Sequence, residues 1–97
     1  MALTTNCEMY NDTENIQLPD ELIALTELIA ENVHRVWAAH RLAEGWTYAK
    51  ETDAANKKTC CLVPYDELPE SEKDYDRNTA LETLKLIIKL GYKITKE

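Results

Sequence analysis

The same helix-start signal occurs twice in this sequence, at residues 18–21 (LPDE) and at residues 68–72 (LPESE). Proline suits the first turn of an α-helix, and acidic side chains there interact favourably with the positive end of the helix dipole. Each signal is followed by an amphipathic stretch and then by a glycine, a residue that commonly ends a helix. The sequence therefore predicts two long helices, over about residues 18–43 and 69–90.

Both predicted helices carry apolar residues at intervals of three to four positions, the spacing of an amphipathic helix. In the first helix these residues are Leu22, Leu25, Ile29, Val33, Val36 and Trp37. In the second helix they are Tyr75, Ala80, Leu84, Ile87 and Ile88, with Leu81 beside them. The predicted fold class is mainly α with a minor β component, in which the two long helices pack antiparallel through these faces.

Short β-prone stretches lie between the helices, at residues 46–48 (WTY) and 61–63 (CLV), on either side of a polar loop. We expect them to pair as a small hairpin, and residues 92–94 alternate like a final short strand. Residues 1–17 are polar and contain a turn-prone cluster without periodicity. The chain is therefore divided into an N-terminal arm, residues 1–17, and one domain, residues 18–97.

Charge and hydropathy exclude several classes of partner. The chain has 18 acidic residues against 11 Lys and Arg, for a formal net charge of -7. Because binding to duplex nucleic acid needs clustered basic residues, we expect no nucleic-acid duplex as a partner. No apolar run approaches the roughly 20 residues that span a bilayer, so membrane insertion is not expected. The N-terminal residues lack the pattern of a signal peptide, which favours a cytoplasmic protein.

The residues that most often carry chemistry are few. Three cysteines without an export signal are expected to be free thiols, and they and the two histidines lack the spacing of a metal site. His34 has no nucleophile or carboxylate pair placed beside it by the sequence, so we expect it to make a structural hydrogen bond. With no cofactor motif or catalytic constellation, the sequence predicts a protein that has no cofactor and is not an enzyme.

Aromatic and arginine side chains form the candidate ligand-binding site, which consists of Trp37, Arg41, Trp46, Tyr48, Tyr65 and Arg77. Trp37 and Arg41 are four residues apart and share a helix face, while Trp46 and Tyr48 project from one side of a predicted strand. Such rings can stack on a planar base while an arginine holds a phosphate or carboxylate. The other interpretation is that both tryptophans fill the core between the helices.

An ordered series of short motifs resembles the repeat domain of ryanodine receptors, called the RyR domain. The motifs are AENVHRVWA (30–38), Arg41, GWTY (45–48), CLVPY (61–65), LPESEK (68–73), YDR (75–77), TALETLK (79–85) and LGY (90–92). The resemblance covers about residues 16–94. In the animal calcium-release channels such repeats lie in pairs within a large cytoplasmic assembly, far from the pore, so the resemblance implies a free-standing repeat and not a channel.

Two functional hypotheses remain open. The first is a binding module that senses a nucleotide-like anionic small molecule through the six candidate residues. The second is a protein-interaction or homodimerisation module without a small-molecule ligand, whose helix surfaces form an interface.

Overall fold

The computed structural model describes residues 13–97, which form a mainly α fold with a minor β component. The helices are α1 (Asp20–Ala24), α2 (Thr26–Ala43) and α3 (Glu70–Lys89), and the strands are β1 (Thr47–Tyr48) and β2 (Lys58–Thr59). Single turns of 3-10 helix lie at Ala54–Asn56 and Tyr65–Glu67. The predicted fold class is therefore confirmed.

The two helix-start signals act as predicted, but the first helix is divided. Pro19 and Pro69 immediately precede α1 and α3, and acidic residues occupy the first turn of both helices. Leu25 separates α1 from α2. Its N–H donates to the carbonyl of Leu22, three residues back, which makes a single turn of the tighter 3-10 type at this point. The prediction of one uninterrupted helix is wrong at this residue, while the predicted helix ends near Ala43 and Leu90 are confirmed.

The two long helices pack antiparallel. Leu22, in α1, lies beside Ile94, which follows the end of α3. Farther along the chain, Trp37 in α2 lies beside Glu72 in the first turn of α3. One end of the α1–α2 segment is thus next to the end of α3, and the other is next to its beginning.

The core formed by the described residues is small. Its buried apolar residues are Leu22, Ala30, Tyr65, Leu68, Ala80 and Leu84. Ala30, Tyr65 and Leu68 form one cluster, against which Cys61 and Val63 pack. The turn at Tyr65–Glu67 therefore lies against the middle of α2, because alanine at position 30 leaves room for the tyrosine ring.

The prediction of which α2 residues face the core is partly wrong. Leu25 and Val36 are exposed, and the buried residues of the helix are Ala30 and His34. At 3.6 residues per turn, Leu25 and Val36 both point well over a quarter-turn away from Ala30. Tyr65 packs closely against this side of α2, where only small or polar residues are buried. The larger aliphatic residues lie outside the buried face.

The β segments pair differently from the predicted hairpin. β1 and β2 are parallel, with Thr47 opposite Lys58 and Tyr48 opposite Thr59. Residues 61–63 are not in a strand, and neither are residues 92–94. The chain doubles back through Ala54–Asn56 and Lys57, whose φ of 53° lies in the left-handed region. That extra reversal is the reason that the second strand runs in the same direction as the first.

Lys57 also attaches this loop to α2. Its Nζ donates a hydrogen bond to the carbonyl oxygen of Glu44, 2.8 Å away, just after the end of the helix. A cation at the C-terminus of a helix interacts favourably with the helix dipole. The loop is therefore held against the same end of α2 that carries Arg41.

Part of the predicted N-terminal arm lies outside the described residues, namely residues 1–12, including Cys7. Within the described part, Thr13 is buried and donates a hydrogen bond to Glu82 Oε1 of α3 over 2.6 Å. No helix in residues 13–97 is both long enough and apolar enough to span a membrane.

Gly45 ends α2 with a φ of +89°, and a Cβ at this position would meet no atom within 4 Å. Gly45→Ala should therefore destabilise the fold only through backbone strain, by about 1 kcal/mol. Gly45→Asn should lose less folding stability than Gly45→Ala, because asparagine tolerates the left-handed region better than alanine. Urea unfolding of the three proteins measures the difference, and equal stability of the Ala and Asn variants would contradict this explanation.

Candidate functional site

His34 lies at the centre of the candidate site. It is 5% exposed, and its Nε2 lies 2.7 Å from the carbonyl oxygen of Val63. Because a carbonyl oxygen only accepts, Nε2 must carry the hydrogen. This bond holds the segment that follows β2 against α2, and the predicted structural hydrogen bond of His34 is confirmed.

Trp37, Arg41 and Trp46 form a continuous stack beside His34. The His34 and Trp37 rings are stacked, with centroids 5.6 Å apart and an angle of 24° between their planes. The guanidinium carbon of Arg41 lies 5.8 Å from the Trp37 centroid and 4.8 Å from the Trp46 centroid, within cation–π range. We call these three residues the Trp–Arg–Trp stack.

The turn at Gly45 places Trp46 in this stack. The N–H of Trp46 donates to the carbonyl of Arg41 over 2.9 Å, so the chain folds back over the last turn of α2. Both tryptophans remain partly exposed, and Tyr48, two residues farther along in β1, is exposed. Neither tryptophan therefore belongs to the buried core, and Trp46 lies over the last turn of α2.

Arg41 has only a weak ionic partner among the described residues. Its Nη1 lies 3.1 Å from Glu44 Oε1, and the side chains of the pair are 37% and 55% exposed. Exposed ion pairs of this kind typically contribute less than about 1 kcal/mol. The Arg41 guanidinium is thus oriented by two rings, yet a stronger anion can replace its carboxylate partner.

Tyr65 and Arg77 belong to a separate network centred on Glu27. The Tyr65 hydroxyl donates to Glu27 Oε1 over 2.7 Å, and Arg77 Nε donates to Glu27 Oε2 over 2.8 Å. Arg77 also donates through Nη1 to Glu70 and Asp74, at 2.8 and 2.9 Å. This Glu27 network joins α2, the turn at residues 65–67 and the first half of α3.

The network changes the acid–base behaviour of its members. Hydrogen bonds from Arg77 and then from Tyr65 lower the pKa of Glu27 to about 2. Burial, followed by the hydrogen bond to Glu27, raises the pKa of Tyr65 to about 12. Arg77 has a raised pKa because three carboxylates accept its hydrogen bonds. All three groups therefore keep their usual charge states near neutral pH.

The six predicted site residues thus fall into two groups that His34 links. Tyr65 is the nearest member of the second group, with its ring centroid 6.2 Å from that of His34. Trp37 and Arg41 share a helix face as predicted, and Trp46 joins them through the Gly45 turn. The polar groups of Tyr65 and Arg77, in contrast, are engaged in hydrogen bonds within the protein.

A cleft between α2 and α3 adjoins the Trp–Arg–Trp stack. Its volume is about 200 Å³, and it is lined by His34, Trp37, Cys61, Leu68, Glu72, Tyr75 and Asp76. Burial raises the pKa of Asp76, although the nearby His34 opposes that shift. The cleft therefore combines flat aromatic walls with two carboxyl groups, and its described lining includes no lysine or arginine.

Glu72, Tyr75 and Asp76 also line the cleft, although no sequence motif assigned them to the site. The three lie at helical spacing in α3 and face Trp37 across the cleft. Their spacing was visible in the sequence, but a helix start rich in acids is usually solvated, and only the packing of α3 shows which of these residues line the cleft. Among residues 13–97, no group of three His, Cys, Asp or Glu side chains is arranged to hold a metal ion.

The fold and the site define a small, mainly helical domain with an aromatic and arginine stack beside an acidic cleft. The model of the RyR domain family matches residues 11–96, nearly the whole chain. The protein therefore belongs to the RyR domain family, and the resemblance found in its motifs is confirmed.

The low pKa of Glu27 predicts a specific loss of stability in acid. A carboxyl group whose pKa falls on folding from 4.5 to about 2 stabilises the protein above pH 4.5, and that contribution is lost as the pH falls toward about 2. Glu27→Gln should therefore be less stable than the unmodified protein at neutral pH and should lose less stability on acidification. Urea unfolding midpoints measured from neutral to acidic pH test this expectation.

Glu31→Gln is the matched control, because Glu31 is also on α2 and forms an ion pair with one arginine, Arg35. This variant should keep the acid sensitivity of the unmodified protein. Equal acid sensitivity in Glu27→Gln and the unmodified protein would show that the Glu27 network does not contribute to pH-dependent stability.

Proposed function

We propose that this RyR domain is a non-catalytic binding module for a nucleotide-like small molecule, with a planar heterocycle in the cleft and an anionic group at Arg41. The observation that carries the proposal is the position of Trp37. Its side chain lines the cleft and also lies 5.8 Å from the Arg41 guanidinium. A ligand that stacks in the cleft therefore has a cation within reach at the end of α2.

The cleft suits one heterocyclic ring system. Its volume of about 200 Å³ is below the roughly 300–1,000 Å³ of sites that enclose a drug-sized ligand, so the rest of a nucleotide would lie outside. Trp37 and Tyr75 supply rings for contact with a heterocycle, and Glu72 and Asp76 supply acceptors for ring or amino N–H groups. The same carboxyl groups repel a phosphate, which directs the anionic part of the ligand away from the cleft.

The end of α2 suits that anionic part. Arg41 presents a forked guanidinium that matches phosphate and carboxylate oxygens, and its exposed pair with Glu44 is weak. Lys57 adds a second positive charge at the Glu44 carbonyl, on the same end of the helix. Trp46 covers one side of Arg41, and Tyr48 lies exposed two residues farther along.

Tyr65 and Arg77 have a supporting part in this proposal. Both are hydrogen-bonded to Glu27, and Tyr65 lies beside His34, so they fix the position of α3 relative to α2 and with it the width of the cleft. The proposal includes no chemical step, because His34 Nε2 is committed to the Val63 carbonyl.

Nucleotide binding is tested by thermal-shift measurements with purine and pyrimidine nucleoside monophosphates, the matching nucleosides and inorganic phosphate. At least one nucleotide should raise the melting temperature, and titration calorimetry then gives its affinity. Arg41→Gln should weaken nucleotide binding at least about tenfold, because a charge-assisted hydrogen bond contributes about 1.5–3 kcal/mol. The same variant should change nucleoside binding little.

Arg35→Gln is the control for Arg41→Gln, since Arg35 is also an exposed α2 arginine paired with a glutamate. Trp37→Leu should weaken the binding of nucleotides and nucleosides alike, because it removes one aromatic wall of the cleft. The proposal fails if no compound raises the melting temperature of the unmodified protein. It also fails if Arg41→Gln and Arg35→Gln have the same effect on nucleotide affinity.

The alternative function, a protein-interaction or homodimerisation module, is favoured by a different observation. Large apolar residues are exposed on α2, on the side opposite the buried Ala30 and His34. The two functions use different sides of this helix, so they are compatible with each other.

A further inference from the structure

An apolar stripe runs along the outer side of α2. We call it the outer stripe; it consists of Leu25, Leu28, Val36, Ala39 and Leu42. Leu28, Val36 and Leu42 are 65%, 51% and 61% exposed. Within the described residues these side chains are covered only in part, although aliphatic surface of this kind is favourably removed from water.

We propose that the outer stripe is the interface of a homodimer, in which the α2 helices of two copies pack antiparallel about a two-fold axis near positions 33 and 34. A two-fold interface uses the same surface on both copies, so the surface must be complementary to itself. The arrangement of large, small and charged residues along the stripe meets this condition.

The residues of the stripe match in size when two copies are aligned in this way. Leu25 faces the partner's Leu42, and Leu28 faces the partner's Ala39. Nearest the axis, Arg35 faces the partner's Asn32 and Val36 faces the partner's Glu31. One turn farther out a large side chain, Leu28, is opposite a small one, which lets the helices approach closely. Farther out, a leucine meets a leucine at each end.

A groove beside the stripe receives the leucine at position 28. It has a volume of about 350 Å³, and its apolar lining includes Ala38, Ala39, Leu42, Val63 and Pro64. Polar and charged residues, among them Glu31, Arg35 and Asp66, line the rest of it. Because the partner's Leu28 lies over Ala39, its side chain enters this groove between α2 and the segment after β2. Two such insertions occur in one dimer, since the axis repeats every contact.

The charges near the axis favour a second copy over a strongly charged partner. Glu31 and Arg35 form an exposed ion pair of 2.7 Å in the middle of the stripe, between Leu28 and Ala39. In the antiparallel arrangement Arg35 faces the partner's Asn32 and is one position from the partner's Glu31. Across the axis the four charged side chains, Glu31 and Arg35 of each copy, alternate in sign. The centre of the interface is therefore locally neutral, in a protein whose formal net charge is -7.

The dimer interface does not depend on the proposed function. The cleft and the Trp–Arg–Trp stack are on the side of α2 that faces α3 and the Gly45 turn, whereas the outer stripe faces the solvent. Dimerisation leaves the cleft accessible, so nucleotide binding and association are measured separately.

Sedimentation equilibrium or light scattering over concentrations of about 1 µM to about 1 mM tests the proposal, because a modest interface dissociates within that range. The unmodified protein should be dimeric at the upper end. Leu28→Gln should shift the dimer dissociation constant upward by at least about tenfold, because it removes a buried leucine from both copies of the interface. The substitution should hardly change the stability of the monomer, where Leu28 is exposed.

Leu90→Gln is the matched control, because Leu90 is also 65% exposed but lies at the end of α3. It should leave the dimer unchanged. Glu31→Arg should weaken the dimer by placing four cations at the axis, and the double change Glu31→Arg with Arg35→Glu should restore it. A protein that is monomeric at every concentration overturns the proposal, and so does a dimer that Leu28→Gln does not weaken.

Discussion

The hydrogen bond from His34 to the Val63 carbonyl is the interaction on which the arrangement of this domain depends. It joins the buried imidazole of His34 in α2 to a half-buried carbonyl in the irregular segment that follows β2. Truncation of His34 removes this bond, at a cost of about 0.5–1.5 kcal/mol. The same imidazole stacks on Trp37 and lies beside Tyr65, so one residue holds the loop and links the two groups of candidate site residues.

This dependence on polar contacts follows from the small size of the core. In residues 13–97 six apolar residues are buried, two of them alanines. The Glu27 network at the surface connects the same elements that this core connects. A domain of about 100 residues has a high ratio of surface to volume, so a core of this kind gives modest stability. In such a fold, a two-fold association through the outer stripe of α2 would add apolar burial that one chain cannot provide.

The two sides of α2 have different parts in the functions proposed for the domain. The inner side carries Trp37 and Arg41, which connect an acidic cleft with a cationic helix end. The outer side carries leucines, whose positions suit a second copy of the chain. Tyr65 and Arg77, which the sequence placed in the same site, belong instead to the Glu27 network, because their polar groups find carboxylate partners within the protein.

The sequence by itself determined the family and the two long helical segments, apart from the break at Leu25, because prolines, acidic first turns and terminal glycines act locally. Its motifs also predicted the shared face of Trp37 and Arg41 and the structural bond of His34. Only the tertiary structure decided which side of α2 is buried, since apolar spacing was satisfied equally well by the exposed Leu25 and Val36. It likewise decided the parallel pairing of β1 with β2, which depends on the left-handed turn at Lys57. These features arise from contacts between residues far apart in the chain, and no local pattern specifies which distant surface will approach.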